Sequence, residues 1–384
     1  FMLLKLDCRY YKGEKPCKLN RLCEGCSHYE PMGKRILIIK LGATGDVLRT
    51  TPILKPLKEK YQPSHITWVV DEGPAEILKG SPLIDRLLVL NTETVLRLSV
   101  EQFDIIISFD KAYGAVALAE SVKGKEKYGY GLSQYGTIYP FNEECNYNLM
   151  LGLSDDLKFR KNRKTYQEML FEVVGIDYKK EEYVFNVAEE DMLWAKAYLQ
   201  SNGFKEGDLI IGLNTGGGDL FANKGWCDDG FNNLAEVCAT NLGCRVILLG
   251  GPKEVERNKR LCSRSKFSLV NTGNHNMLGR FAALIKCCNL IVSGDTLAMH
   301  IAIAVKTQVV ALFLSTCPQE IEFYGRGMAV SANVDCAPCY KRTCDKDDCI
   351  RDISAERVYE GVVHLLGKIN QSHYKTSRLL KKSL

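Results

Sequence analysis

RILIIKLGATGDVLRTTP, residues 35–52, is the stretch whose reading decides the fold. Ile36, Leu37, Ile38 and Ile39 form an unbroken apolar run, as expected of a parallel strand buried on both faces. The run ends in a turn containing Gly42 and Gly45, and a helical pattern starts near Val47. A strand, a glycine turn and a helix N-terminus together direct backbone N–H groups toward a ligand. Asp46 sits in that turn and has two readings. It is either a general base held ionised by the helix dipole, or an ordinary N-cap.

Working outward from this unit, short apolar strands alternate with helices along most of the 384 residues. Strands are expected at 65–70, 86–90 and 103–109, with helices at 47–61, 73–79 and about 114–122. From about 127 to 165 the pattern loosens into a stretch rich in Tyr, Asn and Gly, expected to be loops and short helices. After a helix at 189–202 a second series begins. Its strands are expected at 209–216, 244–251, 267–273, 289–296 and 307–314, the last closing the series, with helices between them. Two doubly wound α/β domains follow, 34–180 and 185–350, with a ligand crevice where their strands end. Residues 1–33 form a cysteine-rich extension, and residues 351–384 a final helix with a basic tail.

Composition excludes some classes. Hydrophobic content of 46% and charged content of 25% are ordinary globular values, and a net charge of +5 does not mark a nucleic-acid binder. No apolar stretch is long enough to span a membrane, and MLLKLDCRYYKGEK lacks the apolar core of a signal peptide. A cytoplasmic protein with reduced thiols is therefore expected.

Three loops of the second domain offer ligand chemistry. In NTGGGDLFANKGW (214–226) glycines permit close backbone approach, and Lys224 either neutralises a phosphate or is a solvated lysine. In LLGGPKEVER (248–257), Gly250 and Gly251 admit a ligand to the strand end. Glu254 or Glu256 could there accept ribose hydroxyls, or simply favour the helix dipole. In SGDTLAMH (293–300), Asp295 and Thr296 precede a helix whose N–H groups suit a diphosphate. His300 either points to that anion or is a core histidine.

Together KLGATGDVLRTTPIL (40–54), GLNTGG with NKGW (212–226), VILLGGPKE (246–254) and LIVSGDTLAMHIAIAVKTQVVALF (290–313) resemble glycosyltransferase family 9, the heptosyltransferases of the lipopolysaccharide inner core. The resemblance covers nearly all of 34–350. It implies a GT-B fold of two facing Rossmann-like domains and an inverting transfer from ADP-heptose to a glycolipid acceptor of the lipopolysaccharide inner-core type. By resemblance Asp46 is the base, with Gly42, Thr44, Gly45 and Arg49 on the acceptor side. Thr215, Lys224, Gly250, Gly251, Glu254, Asp295, Thr296 and His300 hold the donor, Glu256 being the alternative to Glu254. Leaving-group charge would rest on Lys224 and backbone N–H groups, with no Mg²⁺ required. Leu297 stands where the family usually has glycine, which bears on donor identity. The alternatives are a protein or other glycan as acceptor, or a non-catalytic binding module on the same fold.

Two cysteine sets suit a closed tetrahedral site, zinc first, with iron or an iron–sulfur cluster as alternatives. They are Cys8, Cys17, Cys23 and Cys26, and Cys336, Cys339, Cys344 and Cys349. The competing readings are reduced structural thiols or disulfides. Most of the other eight cysteines fall in apolar contexts and are expected in the core. In the tail, Lys375, Arg378, Lys381 and Lys382 either approach an anionic membrane surface at the inner face or form a solvated terminus.

Overall fold

The computed structural model describes residues 4–218 and 220–380, the last thirteen of these by backbone alone. The chain divides into two compact units. The first runs to Lys158 and includes Gln167–Val184; the second holds Phe159–Tyr166 and the chain from Phe185 onward.

The first unit is built on β1 (Lys34–Ile39), β2 (Ser64–Val70), β3 (Arg86–Val89), β4 (Gln102–Ser108), β5 (Lys123–Leu132) and β6 (Ile138–Pro140). They lie in the order β3-β2-β1-β4-β5-β6, parallel except for the β5–β6 pair. The second unit contains β7 (Ile210–Asn214), β8 (Arg245–Leu249), β9 (Leu269–Asn271), β10 (Leu290–Gly294), β11 (Gln308–Phe313) and β12 (Gly327–Ser331). These run in the order β12-β11-β10-β7-β8-β9, all parallel. Each sheet reverses its winding beside its first strand, between β1 and β4 and between β7 and β10. Ligands of open α/β sheets bind at such switch points, at the carboxyl ends of the strands.

The apolar runs become central strands because helices cover both faces of each sheet. Ile36–Ile39 are wholly buried, as are Ile211, Leu213 and Leu290–Val292. Burying each such side chain contributes about 1.5–3 kcal/mol relative to exposure. Helix Leu297–Ala304 buries every residue but Leu297, which explains its nearly continuous apolar sequence. The final helix, from Ala355, places Val358, Val362 and Leu365 in the core of the second sheet.

Three expectations need correction. The helix after β1 starts at Thr44, not near Val47, and Ala43 is its N-cap. Gly45 and Asp46 therefore lie within its first turn, and the N-cap reading of Asp46 falls. A 3-10 segment at Thr51–Ile53 then interrupts it, because Pro52 has no N–H to continue the ladder. The stretch from about 127, read as loops and short helices, holds the second half of β5 and all of β6. KGKEKYGYGL shows no apolar run, so only pairing with β4 and β6 makes it a strand. Strand β12 adds a sixth parallel strand beyond β11, where the sequence reading closed the series.

Candidate active site

In the second unit a cavity of about 620 Å³ opens among the loops that follow β7, β8, β9 and β10. Asn214, the last residue of β7, organises its floor. Its Nδ2 donates to Ser293 Oγ at 3.1 Å, Thr296 Oγ1 at 3.2 Å and the Gly216 carbonyl at 3.2 Å, tying the two loops across the switch point. Arg257 holds the glycine loop from behind. Its guanidinium donates to the Thr215 carbonyl at 2.6 Å and Asp228 at 2.7 Å, and also to the Trp226 carbonyl. Gly217 is required where that loop crosses itself, since a Cβ would stand 2.6 Å from the Gly225 nitrogen.

The expected donor residues sort by geometry. Gly250, Gly251, Glu254 and Thr296 line the cavity. Glu254 Oε2 accepts from the Gly251 N–H at 2.8 Å, which folds the carboxylate back over the glycines in a 3-10 turn. Glu256 instead is solvent-facing and pairs with Lys259 at 2.8 Å, so of the two acids only Glu254 reaches the cavity. Thr296 is the N-cap of helix Leu297–Ala304. Leu297 and Ala298, the first helical residues, line the cavity, where unpaired N–H groups of the first turn suit an anion. Leu297 thus adds a side chain to the wall at the position noted above.

Other expected residues stand behind this wall. Lys224 pairs with Asp295 at 3.4 Å, and both side chains are largely buried. Gly294 lets the Lys224 loop approach, as a Cβ there would lie 2.8 Å from the Lys224 carbonyl oxygen. Thr215 is turned into the core, its hydroxyl donating to Asn258 Oδ1 at 2.6 Å. His300 is buried in its helix and is not among the residues lining the cavity. The sequence reading missed Asn274, His275, Asn276 and Phe281, which line the cavity from the β9 loop and the following helix. The signal was the polar run Asn274-His275-Asn276 directly after a strand end.

In the first unit the corresponding switch point is built from charges. Lys40 is buried, and its Nζ lies 3.1 Å from Asp110 Oδ2 and 4.0 Å from Asp46 Oδ2, while also donating to the Gly42 carbonyl. Asp110 Oδ2 accepts from the Leu41 and Gly42 N–H groups at 3.1 and 3.3 Å, fastening the loop after β1 to the end of β4. Asp46 Oδ1 is 2.9 Å from Arg49, one turn along the same helix. The Asp46 side chain remains 37% exposed, enough to meet a ligand. Gly42, Thr44 and Gly45 complete this segment, all partly exposed. Nearby Tyr183 is fully buried; burial raises its pKa, against the opposing charge of Arg49.

The sixteen cysteines, all among the described residues, form no disulfide. Cys8, Cys17, Cys23 and Cys26 line one cavity of about 20 Å³, and Cys336, Cys339, Cys344 and Cys349 another of about 10 Å³. Among the described residues no three His, Cys, Asp or Glu side chains stand in a metal-holding arrangement. Cys145, Cys238, Cys244, Cys288 and Cys317 are buried as expected of core thiols, whereas Cys287 is only partly buried. Of the basic tail, Lys381 and Lys382 and the side chains of Lys375 and Arg378 lie outside the described residues. No helix among the described residues is long and apolar enough to cross a membrane.

The family model for glycosyltransferase family 9 (heptosyltransferase) matches residues 94–350, about two thirds of the chain. The chain belongs to this family, and it is a glycosyltransferase. It is 24% identical over 293 residues to the lipopolysaccharide core heptosyltransferase OpsX of Haemophilus influenzae, covering 73% of this chain and 79% of that one. Its fold is shared with a glycosyltransferase of family 9 from Veillonella parvula (TM-score 0.67, 21% identity, covering 87% and 97% of the two chains). It is also shared with the Escherichia coli ADP-heptose lps heptosyltransferase II (TM-score 0.63, 17% identity, covering 88% and 99%). The two parallel-sheet domains are thus those of a GT-B enzyme.

Proposed function

We propose that this chain is an inverting glycosyltransferase that moves heptose, or a closely related sugar, from ADP-heptose to a lipopolysaccharide inner-core-type acceptor. The observation carrying the donor half is the cavity at the β7–β10 switch point, where Glu254, Thr296 and a helix N-terminus converge. Glu254 has one carboxylate oxygen on Gly251 and the other for a ribose hydroxyl. The diphosphate lies at the first turn of helix Leu297–Ala304, and Lys224, now paired with Asp295, carries part of its charge. The named substrates of the relatives support ADP-heptose and a lipopolysaccharide acceptor.

In the reaction the acceptor hydroxyl oxygen forms a bond to the anomeric carbon as the bond from that carbon to the diphosphate oxygen breaks. ADP leaves with the electron pair, and Asp46 takes the hydroxyl proton. Arg49 and Lys40 keep the Asp46 carboxylate oriented before the transfer. Leaving-group charge is met by Lys224 and backbone N–H groups, so a chelator does not abolish turnover. The enzyme works on the cytoplasmic side, at the membrane surface that presents a glycolipid acceptor.

The test is ADP release from ADP-heptose with a heptose-deficient lipopolysaccharide core as acceptor. Wild type releases ADP in the presence of EDTA. Asp46→Asn lowers the rate about 10²–10⁴-fold, as loss of a general base does, with ADP affinity unchanged. Wild-type ADP release with no dependence on Asp46 would sink its assignment as the base.

We further propose that each four-cysteine set closes around one structural metal ion, zinc before iron. The donor chemistry fits, since four thiols share each small cavity. The sulfurs reach ligating geometry only when they ionise and turn inward around the ion. Residues 4–33 support the reading independently. They form one isolated bridge, Cys8 to Pro31, and no strand or helix, too little to hold a fold without a cross-link. Elemental analysis of purified protein should find about two metal ions per chain. Finding none overturns both sites.

A further inference from the structure

The donor cavity contains one polar group that the protein itself leaves unsatisfied. Asn274 is only 6% exposed, and its Nδ2 is buried with no hydrogen-bond partner. It lines the cavity from the loop after β9, against Gly250, where a Cβ would stand 3.1 Å from that nitrogen. Buried amide groups are rarely left unpaired, because desolvation without a partner costs free energy. An unpaired donor on a residue that lines a ligand cavity is therefore a position where the ligand, once seated, supplies the acceptor. Its surroundings indicate which part of the ligand that is. Glu254 stands beside the same glycine, with a carboxylate suited to the ribose. Leu278 and Phe281 line the same cavity and offer the apolar surface that a flat heterocycle needs.

We propose that Asn274 is a specificity-determining residue that reads the nucleobase of the donor, its carboxamide donating through Nδ2 to an acceptor on the base edge. This rests on the nucleotide-sugar reading above and adds the residue that discriminates among bases.

Calorimetric titration of ADP, GDP and UDP into wild type and Asn274→Leu tests it. Wild type is expected to bind ADP best. Asn274→Leu, nearly isosteric, weakens ADP about tenfold and leaves the two weaker nucleotides within about twofold, so discrimination collapses. The unliganded melting temperature is unchanged or raised, since an unpaired buried polar group has been replaced by an apolar one. Asn274→Asp, which removes the donor at constant volume, serves if the leucine variant does not fold. Unchanged ADP affinity, an equal loss for all three nucleotides, or a wild type without preference each overturns the role of Asn274. A wild type that binds none of the three overturns the donor reading itself.

Discussion

The two sheets reverse direction at equivalent places, yet their switch points are fastened by different chemistry. At β7 and β10 the buried anchor is neutral: one carboxamide, Asn214, spans to two hydroxyls and a carbonyl, and the partly buried Lys224–Asp295 pair joins the same two loops beside it. At β1 and β4 it is ionic: buried Lys40 against Asp110, with Asp46 and Arg49 beside them. A neutral anchor leaves the field at this cavity to helix N–H groups and Lys224. An ionic anchor instead holds a carboxylate oriented next to two cations. One topology thus carries two kinds of anchor, and the difference lies in a few loop residues.

That contrast can be broken by experiment. The largest effect on stability is expected from Lys40→Met, which leaves Asp110 buried without its cation. Unfolding free energy should fall by about 3–5 kcal/mol, read by denaturant titration. A loss below about 1 kcal/mol would mean the ionic anchor is screened like a surface pair. Asn214→Ala should cost less, about 1–3 kcal/mol, because it unpairs only neutral groups. If it costs more than Lys40→Met, the distinction between the two anchors fails.

The ionic character of the first unit should also appear in pH dependence. His65 on β2 is held down to about 4, chiefly by burial, with Asp85 opposing and Arg86, Lys58 and Arg35 assisting. Its folded pKa lies below the unfolded value of about 6.5, so the folded state binds fewer protons. The contribution is complete above about pH 6.5 and is lost as pH falls toward 4. His65→Gln should flatten the melting-temperature profile across that window, and an unchanged slope would remove His65 as its source. The smallest effect falls in the second unit. Glu254→Gln should raise the KM for ADP-heptose several-fold, while Glu256→Gln should leave it unaltered, and the reverse pattern would exchange their roles.

Much of this was legible in the chain. Ile36–Ile39, Leu248–Leu249 and Leu290–Val292 lie in short apolar runs that suit a buried strand, and each is followed by a turn containing glycine. Strands β5, β6 and β12 were not legible in this way. Their residues are polar, glycine-rich or partly exposed, and edge pairing rather than their own pattern makes them strands. The site was half legible. Asp46, Glu254 and Thr296 stand out by position after a strand, but side-chain direction does not follow from position. Thr215 turns to Asn258 and the core, while Asn274, unremarkable in sequence, lines the cavity with its amide nitrogen buried and unpaired.

By itself the sequence determined the alternation of buried strands and helices, the two-domain order and the family, because hydrophobic period and glycine placement are local properties of the chain. Tertiary structure alone decided which acid faces the cavity, which lysine is buried against which carboxylate, and where a polar group goes unpaired. Those outcomes depend on groups brought together from distant positions, and desolvation and hydrogen-bond geometry act only once the sheets have assembled.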